Sequence, residues 1–223
     1  MRPRAVVFDF NGTLSQDEPI LLEIFQELFA EQGKPLSAQE YFDELVGLSD
    51  PEIVRAWLGP DHPAVGDVIA ERTRRYRQAV ADGSTVPDEV CAAVRYAAAR
   101  VPVAVVSGAA REEVESVLGA AGLAEAISVI VAAEDVSRGK PDPEGYKKAL
   151  SLLEGVLPGD AVAIEDTEAG IAAAKGAGMP VVAVLGTLAP ERLARADELV
   201  ERVDVQLMER LIGSELRDWH RDH

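Results

Sequence analysis

The stretch 161-AVAIEDTEAGIAAAKGAG-178 contains one complete strand-and-helix unit. Its first part is an apolar run without polar–apolar alternation, which predicts a strand covered on both faces, as in a parallel sheet. Its second part is rich in alanine and ends at a glycine, as helices often do. Glu165 and Asp166 fall between the two, at the carboxyl end of the predicted strand. The stretch therefore predicts an α/β fold with acidic side chains where strand and helix meet.

Similar units lie on both sides of this stretch. Four more apolar runs without alternation predict strands: 5-AVVFDF-10, 103-VAVVSG-108, 127-ISVIVAA-133 and 181-VVAVLG-186. A weaker sixth strand is predicted at 198–203. Helix-length segments that end at glycine, 110–122 and 143–155, alternate with the later runs. This alternation predicts a doubly wound, Rossmann-like parallel sheet.

One segment breaks the alternation, because it contains no valine-rich run. It reads as four helices, 18–33, 37–47, 50–59 and 64–83. Ser37 and Asp50 stand where N-cap residues belong. We therefore predict a helical cap domain, 15–85, inserted into a core domain made of 1–14 and 86–223.

Composition excludes several classes of protein. The chain has 223 residues, 48% of them hydrophobic, so it can bury a sizeable core. Its formal net charge of −17 opposes nucleic acid and anionic lipid as partners. The single cysteine, Cys91, excludes a disulfide framework, and we expect it to be buried. No apolar run reaches the length of a membrane span or a signal peptide, so we expect a cytoplasmic protein, monomeric by default. The charged segment 214–223 is expected to fray or to contact a partner.

Polar side chains follow several of the predicted strands. In an open α/β sheet, ligands bind at the carboxyl ends of the strands, so these side chains are predicted to converge. They are Asp9, Ser107, the Glu134–Asp135 pair and the Glu165–Asp166 pair. A strand-end carboxylate such as Asp9 is a candidate nucleophile or metal ligand, and adjacent acids before a helix suit Mg²⁺. Capping of the following helix by Asp166 is the alternative explanation.

Two further features concern an anion. Ser107 and Gly108 end a predicted strand just before a helix, and a hydroxyl with free backbone N–H groups can hold an anion there. Lys140 lies in 139-GKPDP-143, where two prolines stiffen the loop and would hold the lysine in place. Each feature alone also fits an ordinary turn or a solvated lysine.

Together, and in this order, these residues resemble the haloacid dehalogenase superfamily. The segment 9-DFNGTL-14 matches its first motif, Ser107 its second, Lys140 its third and 165-EDTEAG-170 its fourth. The helical insertion directly after the first motif is similar to the cap of the β-phosphoglucomutase-like and phosphoglycolate-phosphatase-like branch. The resemblance covers essentially the whole chain and implies a hydrolase that acts on a small phosphorylated substrate.

The resemblance also implies roles for the motif residues. Asp9 would be the nucleophile that forms an aspartyl phosphate. Lys140 would neutralise charge on Asp9 and on the phosphoryl oxygens. Ser107 and the Gly108 amide would hold another phosphoryl oxygen. The catalytic residues would thus include Asp9, Lys140 and Ser107, with the chemistry resting on positioning and electrostatics.

The same resemblance implies a Mg²⁺ site. Its protein ligands would be Asp9, Asp166 and the backbone carbonyl of Asn11. Glu165 would orient Lys140 or a metal-bound water, and Thr13 would shape the loop around the site.

Further residues are expected to touch the substrate. Phe10 is one of them, and Gly47 is another, in the loop 46–52, which is similar to the specificity loop of the family. Arg55 and the arginines of 72-RTRRYR-77 are expected to be surface residues, since those of the cluster do not share one helical face.

Position 11 departs from the phosphatase pattern. That branch has a second aspartate there, which protonates the leaving oxygen and activates water, and an amide does neither. Loss of a general acid/base costs about 10²–10⁴ in rate. We expect a phosphatase that is slow, or in which Asp17 or Glu18 does the proton work.

Four other interpretations of Asn11 remain open. One is a phosphonatase-like C–P hydrolase, which needs a cap lysine for a Schiff base, and Lys34 is the only candidate. Another is a dehalogenase, which usually carries tyrosine at this position. The chain can also be a catalytically impaired ligand-binding or regulatory member of the family. Finally, Asn11 can be an introduced substitution rather than the native residue. A mutase fits least, because it needs the acid/base in both directions.

Overall fold

The computed structural model describes residues 2–213. Its sheet has six strands: β1 Ala5–Phe8, β2 Val103–Val106, β3 Val129–Val131, β4 Ala161–Glu165, β5 Val181–Val184 and β6 Glu198–Val200. The order across the sheet is β3-β2-β1-β4-β5-β6, and every neighbouring pair is parallel. The predicted sheet is therefore confirmed, including its weak sixth strand.

Nine α-helices accompany the sheet in the described part of the chain. They are α1 Glu18–Glu31, α2 Ala38–Glu40, α3 Asp50–Leu58, α4 Val65–Ala79, α5 Asp88–Ala98, α6 Arg111–Ala120, α7 Glu144–Leu152, α8 Glu168–Gly176 and α9 Val205–Ile212. A π-helical turn, Tyr41–Leu45, continues α2. The first four helices, called here the inserted helices, lie between β1 and β2 in the chain. The domain boundaries at 14/15 and 85/86 stay a prediction.

Alternate residues of the strands face two hydrophobic clusters. On β1, Val6 and Phe8 belong to one cluster and Ala5 and Val7 to the other. The first cluster also contains the apolar stripe of α1, and the second contains residues of α7 and α8. All four residues of β1 are buried, as expected for a strand covered on both faces.

Of the two predicted N-cap residues, one is confirmed and the other is wrong. Ser37 is the N-cap of α2, with a full capping box through Glu40, as predicted. Asp50, however, is the first residue of α3, and the N-cap is Ser49. Glu52 accepts hydrogen bonds from the Ser49 backbone N–H and hydroxyl, at 2.9 and 2.6 Å. This frees the Asp50 carboxylate for a contact elsewhere.

Two further expectations concern membrane spans and the charged segment 214–223. Within residues 2–213, no helix combines the length and the apolar character that a membrane span requires. The charged segment 214–223, expected to fray or to contact a partner, lies outside the described residues.

Candidate active site

Three neighbouring strands bring the predicted site residues to one edge of the sheet. Asp9 follows β1, Ser107 follows β2, and Glu165 ends β4, which pairs with β1 on its other side. The Asp9 backbone N–H donates to Ile164 O at 2.9 Å, which fixes the end of β1 against β4. Because the strands are parallel, their carboxyl ends meet, as the sequence predicted.

Lys140 joins two of these strand ends. Its ammonium donates to Asp9 Oδ1, and it donates to Glu165 Oε1 at 2.6 Å. The Tyr146 hydroxyl also donates to Glu165 Oε1, at 2.6 Å, and the ammonium lies over the Tyr146 ring. Burial alone would lower the pKa of Lys140, but the two carboxylates raise it above its ordinary value. Lys140 is therefore a fixed, charged group beside Asp9, not a solvated lysine.

Asp9, Glu165 and Asp166 form a carboxylate cluster. Each offers an oxygen within 4.8 Å of those of the other two, and all three residues are buried. Burial raises the pKa of Asp9 to about 7, although Lys140 opposes the shift. Burial, reinforced by the charges of Asp9 and Glu165, raises the pKa of Asp166 well above its ordinary value. The raised pKa values mean that ionising all three acids beside one lysine is unfavourable, and a divalent cation bound between them would favour the ionised forms.

The loop after β1 is shaped to accept Asp166. Gly12 has φ +77°, and a Cβ there would lie 1.9 Å from Asp166 Oδ2, so no other residue fits without displacement. The Thr13 hydroxyl donates to Asp166 Oδ1 at 3.2 Å, and the Thr187 hydroxyl donates to Oδ2. Thr167, not Asp166, caps α8. The carboxylate is thus held in the cluster rather than used for helix capping, and its oxygen chemistry fits Mg²⁺.

Ser107 and Gly108 lie beside this cluster. The Ser107 hydroxyl accepts a hydrogen bond from the Ala109 backbone N–H at 3.0 Å and is oriented by it. A Cβ on Gly108 would lie 3.5 Å from the Ser49 backbone, so this loop closely approaches the start of α3. Both residues line space between the sheet edge and the inserted helices, where an anion seat was predicted.

Phe10 and Gly47, the two other residues expected to bind the substrate, differ in whether they line a cavity. The Phe10 side chain is fully buried in the first hydrophobic cluster and lines no cavity described here, so only its backbone can face a substrate. A contact between Phe10 and the substrate therefore stays a prediction that concerns its backbone, because the side chain is buried in the core. Gly47 lies at φ +86°, and a Cβ there would meet the Thr167 hydroxyl at 3.0 Å. Its backbone lines the cavity above Asp9.

The Asn11 side chain forms hydrogen bonds with groups outside the loop that follows β1. Its Nδ2 donates to Asp17 Oδ2 at 2.9 Å and contacts the Tyr76 hydroxyl at 3.4 Å. The Tyr76 hydroxyl also donates to Asp17 Oδ2. Burial raises the pKa of Asp17, against the hydrogen bonds that lower it. The surroundings of position 11 thus fit an amide, since a donor there satisfies a buried carboxylate.

A cavity opens above Asp9, between the sheet edge and the inserted helices, and is called here the central cavity. Its volume is about 40 Å³. The lining side chains include Asp9, Asn11 and Lys140 from the core and Glu18, Asp50 and Arg72 from the inserted helices. A second, outer cavity of about 240 Å³ is lined by Ser107, Lys140 and the exposed Arg55, but not by Asp9. The central cavity therefore connects the carboxylate cluster with the inserted helices.

Arg72 corrects the expectation of a surface arginine. It is 1% exposed, and its Nη1 lies 2.9 Å from Asp50 Oδ2 and 2.6 Å from Glu113 Oε1. Glu113 is on α6, so the contact joins an inserted helix to the rest of the chain. Arg75, on the same helix, pairs with Glu27, Glu31 and Glu71 nearer the surface. Helical spacing shows that the arginines of the cluster 72–77 do not share one face of α4, but it does not show which face is buried against other helices.

Two predicted features lie away from the site. Glu134 accepts from the Arg111 backbone N–H, and Asp135 pairs with the Arg111 and Lys148 side chains, so this acidic pair does not join the carboxylate cluster. Lys34 is exposed and donates to Trp57 O, and its ammonium lies over the Trp57 ring. It lines neither cavity, which leaves the phosphonatase hypothesis without its Schiff-base lysine.

Sequence reasoning missed Tyr76, Thr187 and Tyr146. Each contacts a motif residue through its hydroxyl but comes from a segment without a motif of its own. For Tyr146, the only signal was its position shortly after the Lys140 loop.

Comparison with known proteins shows which family the chain belongs to. Residues 6–184 match the profile of haloacid dehalogenase-like hydrolases. Validoxylamine A 7'-phosphate phosphatase of Streptomyces hygroscopicus subsp. limoneus is 34% identical, over 89% of this chain and 93% of its own. The plasmid phosphoglycolate phosphatase of Cupriavidus necator is 31% identical, over 90% of each chain.

Solved structures agree with the fold. An aspartate-to-asparagine mutant of Rhodobacter sphaeroides CbbY, in complex with xylulose-(1,5)bisphosphate, superposes with a TM-score of 0.79 at 30% identity, covering 91% of this chain and 95% of that one. The β-phosphoglucomutase of Clostridium difficile, at 20% identity, has a TM-score of 0.80 over 92% of this chain and 93% of that one, and shows the fold alone. The family and enzyme class predicted from the motifs are confirmed: the chain belongs to the haloacid dehalogenase-like hydrolases, and its Streptomyces and Cupriavidus relatives are phosphatases.

Proposed function

We propose that this chain is a Mg²⁺-dependent phosphohydrolase that acts on a small phosphorylated metabolite through an aspartyl-phosphate intermediate. The observation that carries the proposal is the position of Asp9, at a strand end, bonded to Lys140 and open to the central cavity. The phosphatase names of the relatives support the reaction class.

Asp9 is the nucleophile in this proposal. A bond forms between its carboxylate oxygen and phosphorus, and the bond from phosphorus to the leaving oxygen breaks. The leaving oxygen takes a proton from a solvent water and departs as an alcohol, which leaves a hydroxide for the second step. Water then attacks the aspartyl phosphate, releases inorganic phosphate and restores Asp9. Lys140 holds one oxygen of Asp9 and offsets the negative charge of the incoming phosphate, while Ser107 and Gly108 donate to the phosphoryl oxygens.

Asp9, Asp166 and the Asn11 carbonyl would hold Mg²⁺, which supplies positive charge to the phosphoryl oxygens when bound. Glu165 is engaged by Lys140 and Tyr146, so its role is to position Lys140. Gly170 makes room for Glu165, since a Cβ there would lie 1.9 Å from the carboxyl.

Position 11 limits the rate. The side-chain amide of Asn11 neither gives nor takes a proton, and the Asp17 carboxyl is engaged in hydrogen bonds from Asn11 and Tyr76. Leaving-group protonation and water activation therefore proceed without a carboxyl at position 11, and turnover is slow. The inserted helices form part of the wall of the central cavity, so a movement of these helices would change the space for a phosphate ester.

Phosphate release tests the proposal. The substrates are para-nitrophenyl phosphate and a panel of small phosphate monoesters, with Mg²⁺ and with excess chelator. We expect slow, Mg²⁺-dependent release that Asp9→Asn abolishes. Tight ligand binding without release by this chain or by Asn11→Asp would instead favour a binding or regulatory protein.

A further inference from the structure

The inserted helices give the central cavity an unusual charge pattern. Glu18, Asp50 and Arg72 face the cavity on the side away from the sheet. This side is where the leaving group of a phosphate ester would lie, because Asp9 and Lys140 occupy the other. Tyr41, Leu21 and Phe25 complete the wall, so the charged groups are surrounded by aromatic and aliphatic surface.

Arg72 brings no net positive charge to this side. Its guanidinium is shared between Asp50, at 2.9 Å, and Glu113, at 2.6 and 2.7 Å. Burial raises the pKa of Asp50 to about 6, against the lowering effect of Arg72, so Asp50 is largely ionised at neutral pH. Two carboxylates therefore face one guanidinium before Glu18 is considered.

Glu18 adds hydrogen-bonding capacity. Its Oε2 accepts from the Tyr41 hydroxyl at 3.0 Å. Burial, reinforced by the charge of Asp17, raises the pKa of Glu18 to about 8, so at neutral pH the carboxyl mostly carries a proton and can both donate and accept. Among the described residues, Nε of Arg72 is buried and has no hydrogen-bond partner. The wall thus offers donors and acceptors rather than a counter-charge.

An anionic group in this position would be unfavourable. A second phosphate or a carboxylate would lose its water and meet Asp50, with Arg72 already paired. Hydroxyl groups suit the same wall, because each can donate to Asp50 and can accept from, or donate to, the Glu18 carboxyl. A protonated amine suits it as well, since Asp50 and Glu113 outnumber the guanidinium.

We propose that the leaving group of the substrate is a hydroxyl-rich moiety, uncharged or carrying an amine, and that the central cavity discriminates against a second phosphate or a carboxylate. This inference rests on the proposed function and specifies its substrate class. It assigns specificity to Glu18, Asp50 and Arg72, while the reaction belongs to the sheet edge.

Two matched pairs of substrates test the proposal. Glucitol 6-phosphate and 6-phosphogluconate differ only by a terminal hydroxymethyl against a carboxylate. Glucosamine 6-phosphate and glucose 6-phosphate differ only by an amine against a hydroxyl. We expect kcat/KM for glucitol 6-phosphate to exceed that for 6-phosphogluconate by at least about tenfold, and glucosamine 6-phosphate to equal or exceed glucose 6-phosphate. Calorimetric binding with Mg²⁺ gives the same ranking if turnover is too slow to measure.

A variant of Asp50 tests whether this residue of the central cavity causes the ranking of the substrates. Asp50→Asn should lower the ratio of kcat/KM for glucitol 6-phosphate to that for 6-phosphogluconate at least about threefold. The reason is that Arg72 then loses one of its two carboxylate partners and can attract an anionic group. Asp67→Asn, an exposed acid on the helix of Arg72, makes the same charge change and should leave the ratio unaltered.

The outcomes separate the two proposals. Phosphate release with equal or better use of 6-phosphogluconate overturns the leaving-group assignment alone, and would point to the outer cavity and Arg55. Absence of release from every substrate overturns the proposed function, and the binding ranking then still decides the leaving-group assignment.

Discussion

The two sides of the central cavity are built in different ways. The sheet side, with Asp9, Ser107 and Lys140, consists of strand ends and one short stiff loop, so its residues are set by local sequence and by strand order. The other side, with Asp50 and Arg72, depends on how the inserted helices pack. In the proposed function, the first side carries the reaction. The second is where this chain can differ from its relatives, so substrate choice is expected there.

Asn11 lies at the boundary between the two sides. It belongs to the loop after β1, but its amide is bonded to Asp17 and Tyr76, at the start of α1 and within α4. Substituting it therefore changes both the chemistry and the contact between the sides.

Asn11→Asp has the largest expected effect. The new carboxyl would lie about as close to Asp17 as the amide does now, 2.9 Å from Oδ2, and two carboxyls that close share a proton at neutral pH. A proton donor would then stand beside the leaving oxygen. We expect turnover of a small phosphate ester to rise about 10²–10⁴-fold, measured as kcat for phosphate release.

The control for this variant is its neighbour. Asp17→Asn alone places an amide against the Asn11 amide and should leave turnover at or below that of the unsubstituted chain. The double variant Asn11→Asp with Asp17→Asn keeps one carboxyl and one amide in reversed positions and should retain part of the gain. If Asn11→Asp alone shows no gain, position 11 is not the limiting feature.

Arg72→Met tests how the second side is held. The substitution leaves Asp50 and Glu113 without their shared partner, and breaking a buried ion pair costs about 3–5 kcal/mol. Arg75→Met, one turn away on the same helix, removes only more exposed pairs worth about 0.2–1 kcal/mol each. The free energy of unfolding from urea denaturation compares the two. Equal losses would mean that the buried pair does not lock α4 to α6.

This contrast also explains what the sequence could predict. The strands and their order along the chain follow from the unbroken apolar runs. The strand-end motif residues are the side chains at or directly after those runs. The local sequence does not show that Arg72 is buried, because its partner Glu113 lies 41 positions away on a different helix. Asp50 and the adjacent Ser49 are both suitable N-cap residues, so the sequence alone does not decide between them. Tyr76 and Thr187 reach the site only through tertiary packing, which a motif does not encode.

Glu18→Gln gives a smaller, pH-dependent effect. The pKa of Glu18 is raised from 4.5 to about 8, so its contribution to stability is fully present below about pH 4.5 and is lost as pH rises toward 8. Glutamine cannot ionise and still accepts from Tyr41. Between pH 5 and pH 8 we expect the variant to gain stability relative to the unsubstituted chain by about 2–4 kcal/mol. Glu23→Gln, an exposed position on the same helix, is the control. A difference that stays constant across this range would show that Glu18 does not carry the shift.

Lys34→Met has the smallest expected effect, and Lys140 provides its contrast. Lys140 is buried between Asp9 and Glu165, whereas Lys34 is exposed against Trp57 and lines neither cavity. Lys34→Met should therefore leave kcat/KM for phosphate esters within about twofold. Lys140→Met should abolish turnover, since among residues 2–213 no other side chain forms an ion pair with Asp9. Borohydride added with an aldehyde-bearing phosphonate should give no adduct at Lys34 by mass spectrometry. An adduct at Lys34, lost in Lys34→Met, would restore the C–P hydrolase hypothesis and require the inserted helices to carry this lysine into the cavity.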